Sequence, residues 1–272
     1  MADVDLVFHC AALKHVHLSE CNPFEAMQTN VLGTNNVITA ALEVEVSRVV
    51  FTSSDKAVNP SSTMGATKLL GERLIIAANH RLGDKPTRFA CVRFGNVLNS
   101  NGSVLQIFER QRQNGQPLTI TSPLMTRFFL SMTQAVDLVM DTATRMFGGE
   151  IFVRSMGTCH ITSLAKAMIG EGQGRIEEIG LKPGEALYEE LVTEDEAPRT
   201  VRLGDTYIIR PSTMDMLPDD TRERYAVYDS LPRLMRPLRS DQDLMEDEEV
   251  RSMLWSAGVE LQGPMVAQAR AQ

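Results

Sequence analysis

Two short stretches carry side chains able to exchange protons: Ser53-Ser54-Asp55-Lys56 and, a little further on, Met64-Gly65-Ala66-Thr67-Lys68. Asp55 and Lys56 set an acid beside an amine, and Lys68 offers a second amine. If Met64 and Lys68 lie on one helix, their i, i+4 spacing turns both side chains toward the same cleft. A Ser-Ser-Asp run also serves as a helix cap or a turn. Its position favours function, because it follows the β-branched strand Arg48-Val49-Val50-Phe51-Thr52. In doubly wound folds ligands sit at the carboxyl ends of the strands.

The elements that must position these groups alternate. A buried strand opens the chain at Val4 to His9 and runs into Cys10-Ala11-Ala12. Asn22-Pro23 then starts a helix expected from about Phe24 to Glu45, followed by the Arg48 to Thr52 strand. A second helix from about Thr63 to His80 and the strand Arg88 to Arg93 repeat the pattern. Such alternation implies right-handed crossovers and an α/β fold with a doubly wound parallel sheet. Residues 1–97 are therefore expected to form a partial dinucleotide-binding domain that holds the proton-exchanging loop. Residues 98–210, with helices near Val104 to Asn114 and Met132 to Met146, read as a smaller substrate lobe with some return to the sheet. Residues 211–272 read as a partly irregular extension, with one amphipathic helix from Glu246 to Trp255.

A chain of 272 residues can bury one large core or two modest ones. Its net charge of -8 and its scattered Lys and Arg argue against a nucleic-acid binder, which needs a basic footprint. The four cysteines lie far apart, with no C-x-x-C pair, and read as reduced core thiols of a cytoplasmic protein. His15 and His17 have no acidic or cysteine partner at metal-ligand spacing, so no metal is expected. No apolar run reaches the ~18 residues of a membrane span.

Longer motifs sharpen the picture. They are Phe8-His9-Cys10-Ala11-Ala12-Leu13-Lys14-His15-Val16, Thr29-Asn30-Val31-Leu32-Gly33-Thr34, and Ser54-Asp55-Lys56-Ala57-Val58-Asn59-Pro60 followed by Met64 to Lys68. Further on come Val92-Arg93-Phe94-Gly95-Asn96-Val97-Leu98, Met125-Thr126-Arg127-Phe128-Phe129, and Pro183-Gly184-Glu185 with Leu187-Tyr188-Glu189-Glu190-Leu191. In this order, from Asp3 to about Thr193, the chain resembles the polysaccharide-biosynthesis UDP-N-acetylglucosamine 4,6-dehydratases, which are extended short-chain dehydrogenases.

The resemblance implies a three-step reaction: NAD oxidises C4 of the sugar, water leaves across C5 and C6, and the hydride returns to C6. Asp55 would protonate the departing C6 hydroxyl and Lys56 would take the C5 proton. That base role needs the lysine pKa lowered by ~3 units, or ~4 kcal/mol, through burial and like charge. Lys68 resembles the lysine that holds the nicotinamide ribose, and Ala11, Ala12, Lys14 and Asn30 fall at cofactor-binding positions. Met64 stands where short-chain dehydrogenases commonly have a tyrosine, so the C4 proton needs another acceptor, such as a water held by Ser54. Asn96, Arg127 and Glu185 resemble substrate-binding positions, although an ion pair for Arg127 and a turn role for Glu185 remain open. Lys182 replaces a common arginine and Ala186 a common lysine.

A dinucleotide site normally includes a glycine-rich turn before a helix N-terminus, and no G-x-G-x-x-G occurs in this sequence. The opening strand resembles the fourth of the family's sheet, so roughly 70 to 80 residues of the pattern are expected to be missing upstream. The complete protein is expected to form a homo-oligomer and to use a UDP-sugar, and a membrane anchor in it is left open. Two other functions stay in view: a nucleotide-sugar epimerase or reductase, and a noncatalytic remnant or assembly module unable to bind NAD alone.

Overall fold

The computed structural model describes residues 1, 3–169 and 174–261. From the N-terminus, β1 (Leu6–His9) leads into the short helices α1 (Val16–Cys21) and α2 (Pro23–Met27), a π-helical turn at Gln28–Leu32, and α3 (Gly33–Glu43). Next come β2 (Arg48–Thr52), α4 (Thr63–Ala78), β3 (Arg88–Arg93), β4 (Asn96–Val97), α5 (Val104–Gln113), β5 (Leu118–Ile120) and β6 (Thr126–Leu130). They are followed by α6 (Met132–Arg145), β7 (Ile151–Arg154), β8 (Gly157–His160), α7 (Ile161–Ile169), β9 (Ile176–Glu178) and β10 (Glu190–Val192). The last are β11 (Thr200–Leu203), β12 (Thr206–Ile209), α8 (Asp219–Arg224), β13 (Leu238–Arg239) and α9 (Asp247–Ser256).

The main sheet has six strands in the order β1-β2-β3-β7-β12-β11. The first four are parallel, and β12 and β11 run antiparallel to their neighbours. Strand alternation explains why both faces are covered. Val49, Phe51, Phe89 and Cys91 meet Ile38 of α3 and Ile75 of α4 on one face. Val50, Ala90 and Val92 meet Leu138 and Ala143 of α6, with Tyr225 and Tyr228, on the other. Each fully buried large apolar side chain contributes about 1.5–3 kcal/mol. Helices on both faces of a mostly parallel sheet make the α/β, doubly wound, Rossmann-like fold that the sequence implied.

A second core joins α5, α7 and α9 through Phe108, Leu164, Val250 and Leu254. The segment after residue 211 is thus part of both cores, since Tyr225 and Tyr228 pack on the sheet and α9 packs in the lobe. The expected continuous helix at 24–45 is instead interrupted. The Gly33 N–H reaches back to the Gln28 carbonyl, an i, i+5 bond that widens one turn. Asn30 lies in that turn, where its amide binds both backbone groups of Leu13 and the Thr67 hydroxyl. Cys91 and Cys159 are core thiols as expected, but Cys10 and Cys21 are exposed, and all four are free. Among the described residues no helix is long and apolar enough to cross a membrane.

Candidate active site

The chain leaves β2 at Thr52 and is tied at once to the end of β3, with Ser53 N–H on the Val92 carbonyl and Asp55 N–H on that of Phe94. Asp55–Ala57 then make one tight turn. Ser54 caps it: its Oγ accepts the Lys56 N–H at 3.3 Å and donates to Asp55 Oδ1 at 2.8 Å. The capping bond thus turns the serine hydroxyl onto the Asp55 carboxylate. Ser62 caps α4 by accepting the Gly65 N–H at 3.1 Å. A Cβ at Gly65 would collide with the Lys56 carbonyl oxygen, so only glycine lets the helix approach the loop this closely.

That approach gathers the expected groups around one cavity of about 690 Å³. Ser54, Lys56, Met64, Lys68 and Asn96 line it, with Ala12 and Lys14 on the β1 side. The exposed Lys14 also donates to the Asn101 carbonyl at 2.7 Å. Lys56 and Asn96 extend into an adjoining recess of about 230 Å³, lined also by Arg127, Glu185 and Glu189. Ser53 Oγ and Asn96 Oδ1 are buried without a partner. Unpaired buried polar atoms are costly, and they suit a site that takes a polar ligand.

Lys56 differs in electrostatics from the expectation. Its amine lies 3.0 Å from Asp55 Oδ1 and 3.4 Å from Glu189 Oε1. Burial pushes its pKa down, but the two carboxylates more than offset this and hold it above the usual lysine value. The lysine with the lowered pKa is Lys68, brought to about 8 by burial. Its ammonium donates to the Thr52 carbonyl at 2.8 Å and lies 4.7 Å from the centre of the Phe51 ring. Burial also raises the pKa of Glu189, against the pull of Lys56.

The other expected residues lie at the edge of the cleft or behind its wall. Asp55 is fully buried and lines none of the cavities described, so it meets the cleft through Ser54 and Lys56. Ala11 is exposed and does not line the large cavity; Asn30 has its amide committed to Leu13 and Thr67 and shapes the wall from behind. Arg127 uses its terminal nitrogens on the carbonyls of Thr126, Ala186 and Leu187, so much of its fork clamps that segment rather than facing a phosphate. Glu185 lines the recess but also closes a turn by accepting the Lys182 N–H at 3.1 Å.

Glu189 lies within the Leu187 to Leu191 motif, yet nothing in residue spacing brings that motif to Lys56. Arg93, in the Val92 to Leu98 motif, carries no spacing signal of its role either. It is buried between Glu72 of α4 and Glu196, and it also donates to the Leu191 carbonyl. It thereby fastens the helix that carries Lys68 to the segment that carries Glu189.

Residues 1–211 match a family described as polysaccharide biosynthesis protein. A UDP-N-acetylglucosamine 4,6-dehydratase (inverting) of Campylobacter jejuni is 42% identical over 213 residues, which are 78% of this chain and 63% of that protein. A UDP-glucose 4-epimerase of Rickettsia bellii is 43% identical over 219 residues, 79% of this chain and 64% of that protein. This chain thus spans less than two thirds of the length of either relative. Among solved structures, Pen from Bacillus thuringiensis superposes with a TM-score of 0.85 at 40% identity, covering 94% of this chain and 76% of that one. The chain belongs to the polysaccharide biosynthesis protein family.

Proposed function

We propose that this cleft removes water across C5 and C6 of a UDP-N-acetylhexosamine, a NAD-dependent 4,6-dehydration serving polysaccharide or glycan synthesis. The observation that carries the reading is the Lys56 amine, set between two carboxylates where the large cavity meets the recess.

The cavity wall of Ala12, Thr52, Met64 and Lys68 is mostly apolar with one amine, and Ser53 Oγ and Asn96 Oδ1 lie unpaired beside it. This suits the nicotinamide and ribose end of NAD, which these residues would hold. Bound there, NAD supplies oxidation at C4 and reduction at C6. Lys68 has donors beyond the one given to Thr52, and these can meet ribose hydroxyls.

Met64 has no proton to trade, so the C4 hydroxyl proton needs another route. Ser54 offers one, since it lines the cavity and its Oγ is hydrogen-bonded to Asp55. A proton held on Asp55 can return through the Ser54 hydroxyl to the C6 oxygen, which then leaves as water. Lys56 starts protonated, and it can take the C5 proton only after passing its own to a neighbouring carboxylate. With ordinary pKa values that transfer lies about 6 units, or roughly 8 kcal/mol, uphill. A closed, dry cleft favours the neutral pair, and burial has already raised the pKa of Glu189. Lys56 then returns the proton to C5, and the net change is the loss of one water.

Mass spectrometry of UDP-N-acetylglucosamine incubated with the protein and NAD tests this directly. Loss of one water is expected, and Asp55→Asn and Lys56→Ala should abolish it while sparing UDP-sugar binding. Unchanged turnover in both variants refutes the assignment. The rickettsial relative named as an epimerase keeps a second reading in view, and an isomer of unchanged mass would establish that one instead.

A further inference from the structure

Arg127 is held in β6, which pairs with β4 and β8, but Glu189 lies just outside the three-residue β10, so its position needs a further tie. Ser240 provides it. It is completely buried, in the C-terminal segment beyond the residues that match the family. Its N–H donates to the Glu189 carbonyl at 2.9 Å, and its Oγ accepts the Glu189 N–H at 2.9 Å. The same Oγ donates to the Thr126 carbonyl at 3.1 Å and lies 3.0 Å from Thr126 Oγ1. A serine hydroxyl has one proton to give and two lone pairs, and all three are used here if Thr126 donates.

The surroundings reinforce this knot. β13 pairs antiparallel with β10, setting Arg239 opposite Glu190. The Arg239 guanidinium lies 4.0 Å from the centre of the Tyr188 ring, so the residue before Glu189 is held as well. On the other side, Arg127 shares the Thr126 carbonyl with Ser240 and takes the carbonyls of Ala186 and Leu187.

We propose that Ser240 is a positioning residue of the cleft: its hydroxyl ties the backbone of Glu189 to that of Thr126 and so holds the Glu189 carboxylate between the Lys56 amine and Arg127. The C-terminal segment is then a working part of the site. The proposal rests on Lys56 being the working amine, but its test reads that amine rather than turnover. A chain with no dehydratase activity would therefore count against the proposed function and leave this result readable.

The pH dependence of Lys56 acylation, followed by mass spectrometry of its peptide, gives the proton affinity of the amine. In Ser240→Ala the Glu189 N–H loses its acceptor and the tie to Thr126 is broken, leaving only the bond from the residue-240 N–H. The carboxylate is then held less firmly, and the midpoint should fall by about one unit, a tenfold drop in proton affinity. Ser240→Thr keeps the hydroxyl and should retain the wild-type midpoint. If Ser240→Ala does not fold, Ser240→Cys, of similar size but with weak hydrogen bonding, should show the same fall. A folded Ala or Cys variant with a lowered melting temperature and an unchanged Lys56 midpoint overturns the proposal, because a merely structural serine behaves that way.

Discussion

The Lys56 amine lies 3.4 Å from a carboxylate oxygen of Glu189, and the same oxygen lies 3.7 Å from Nε of Arg127. One carboxylate thus links the loop after β2 to the lobe that would cover a substrate. Neutralising it in Glu189→Gln removes an attraction that keeps the Lys56 proton in place. The Lys56 midpoint is expected to fall, and water elimination to slow by about a hundredfold, the low end of what proton-transfer groups contribute. Acylation profiling and product mass spectrometry check the two outcomes separately.

Arg93 makes a two-pronged pair with Glu72, at 2.8 Å for both contacts, and a second pair with Glu196 at 2.7 and 2.9 Å. Arg93→Met strands two buried carboxylates and is expected to cost about 3–5 kcal/mol in urea unfolding. Adding Glu72→Gln and Glu196→Gln should recover most of the loss. The pH dependence follows from Glu196: burial pushes its pKa up, but the Arg93 guanidinium overrides this and holds it below the usual carboxylate value. A depressed carboxylate stabilises the fold above its unfolded pKa and loses that contribution as pH falls through the folded value. The difference between wild type and Arg93→Met should therefore be full at neutral pH and shrink in acid, below about pH 4.

The sheet was legible because its strands are local signals. Arg48 to Thr52 and Arg88 to Arg93 are β-branched or aromatic runs, and they became β2 and β3 with those bounds. The loop from Ser53 and the helix of Lys68 were also legible, since their order along the chain places them at strand ends. The β11–β12 hairpin has a local signal too, since Gly204-Asp205 between Thr200–Leu203 and Thr206–Ile209 is a two-residue turn, with Gly204 at a φ of 64°. The π-turn was hidden because Gln28 to Leu32 reads as ordinary helix, and what widens it involves side-chain bonds to Leu13 and Thr67. Glu189 and Ser240 could not be found at all from spacing. Their partners sit on distant segments, as when Ser240 meets Thr126, and no periodicity encodes such contacts.

Gly65 offers a test of the loop without touching a charged group. Gly65→Ala drives a methyl into the Lys56 carbonyl, a collision with backbone rather than with a movable side chain. The helix start and the loop must separate, at an expected cost of about 1–3 kcal/mol, typical of overpacking. Because Met64 and Lys68 ride on that helix, turnover should fall more than UDP affinity does. Calorimetric titration with UDP beside the turnover assay measures the split, and equal losses in both would show that the contact serves folding alone.

Lys68 is held in its site at the expense of stability. Burial lowers its pKa to about 8, so the folded state binds this proton less tightly than the unfolded chain does. At neutral pH both states are protonated and the whole penalty is present; it is relieved as pH rises from about 8 toward the unfolded value near 10.4. Lys68→Met removes a buried charge but leaves the Thr52 carbonyl without this donor. The net expectation is a gain of roughly 1–2 kcal/mol at pH 7 that vanishes above about pH 10, with loss of NAD-dependent activity. Denaturant unfolding at both pH values checks the sign. A variant no more stable than wild type at pH 7 would mean that the Thr52 and Phe51 contacts already offset the cost of burying the ammonium.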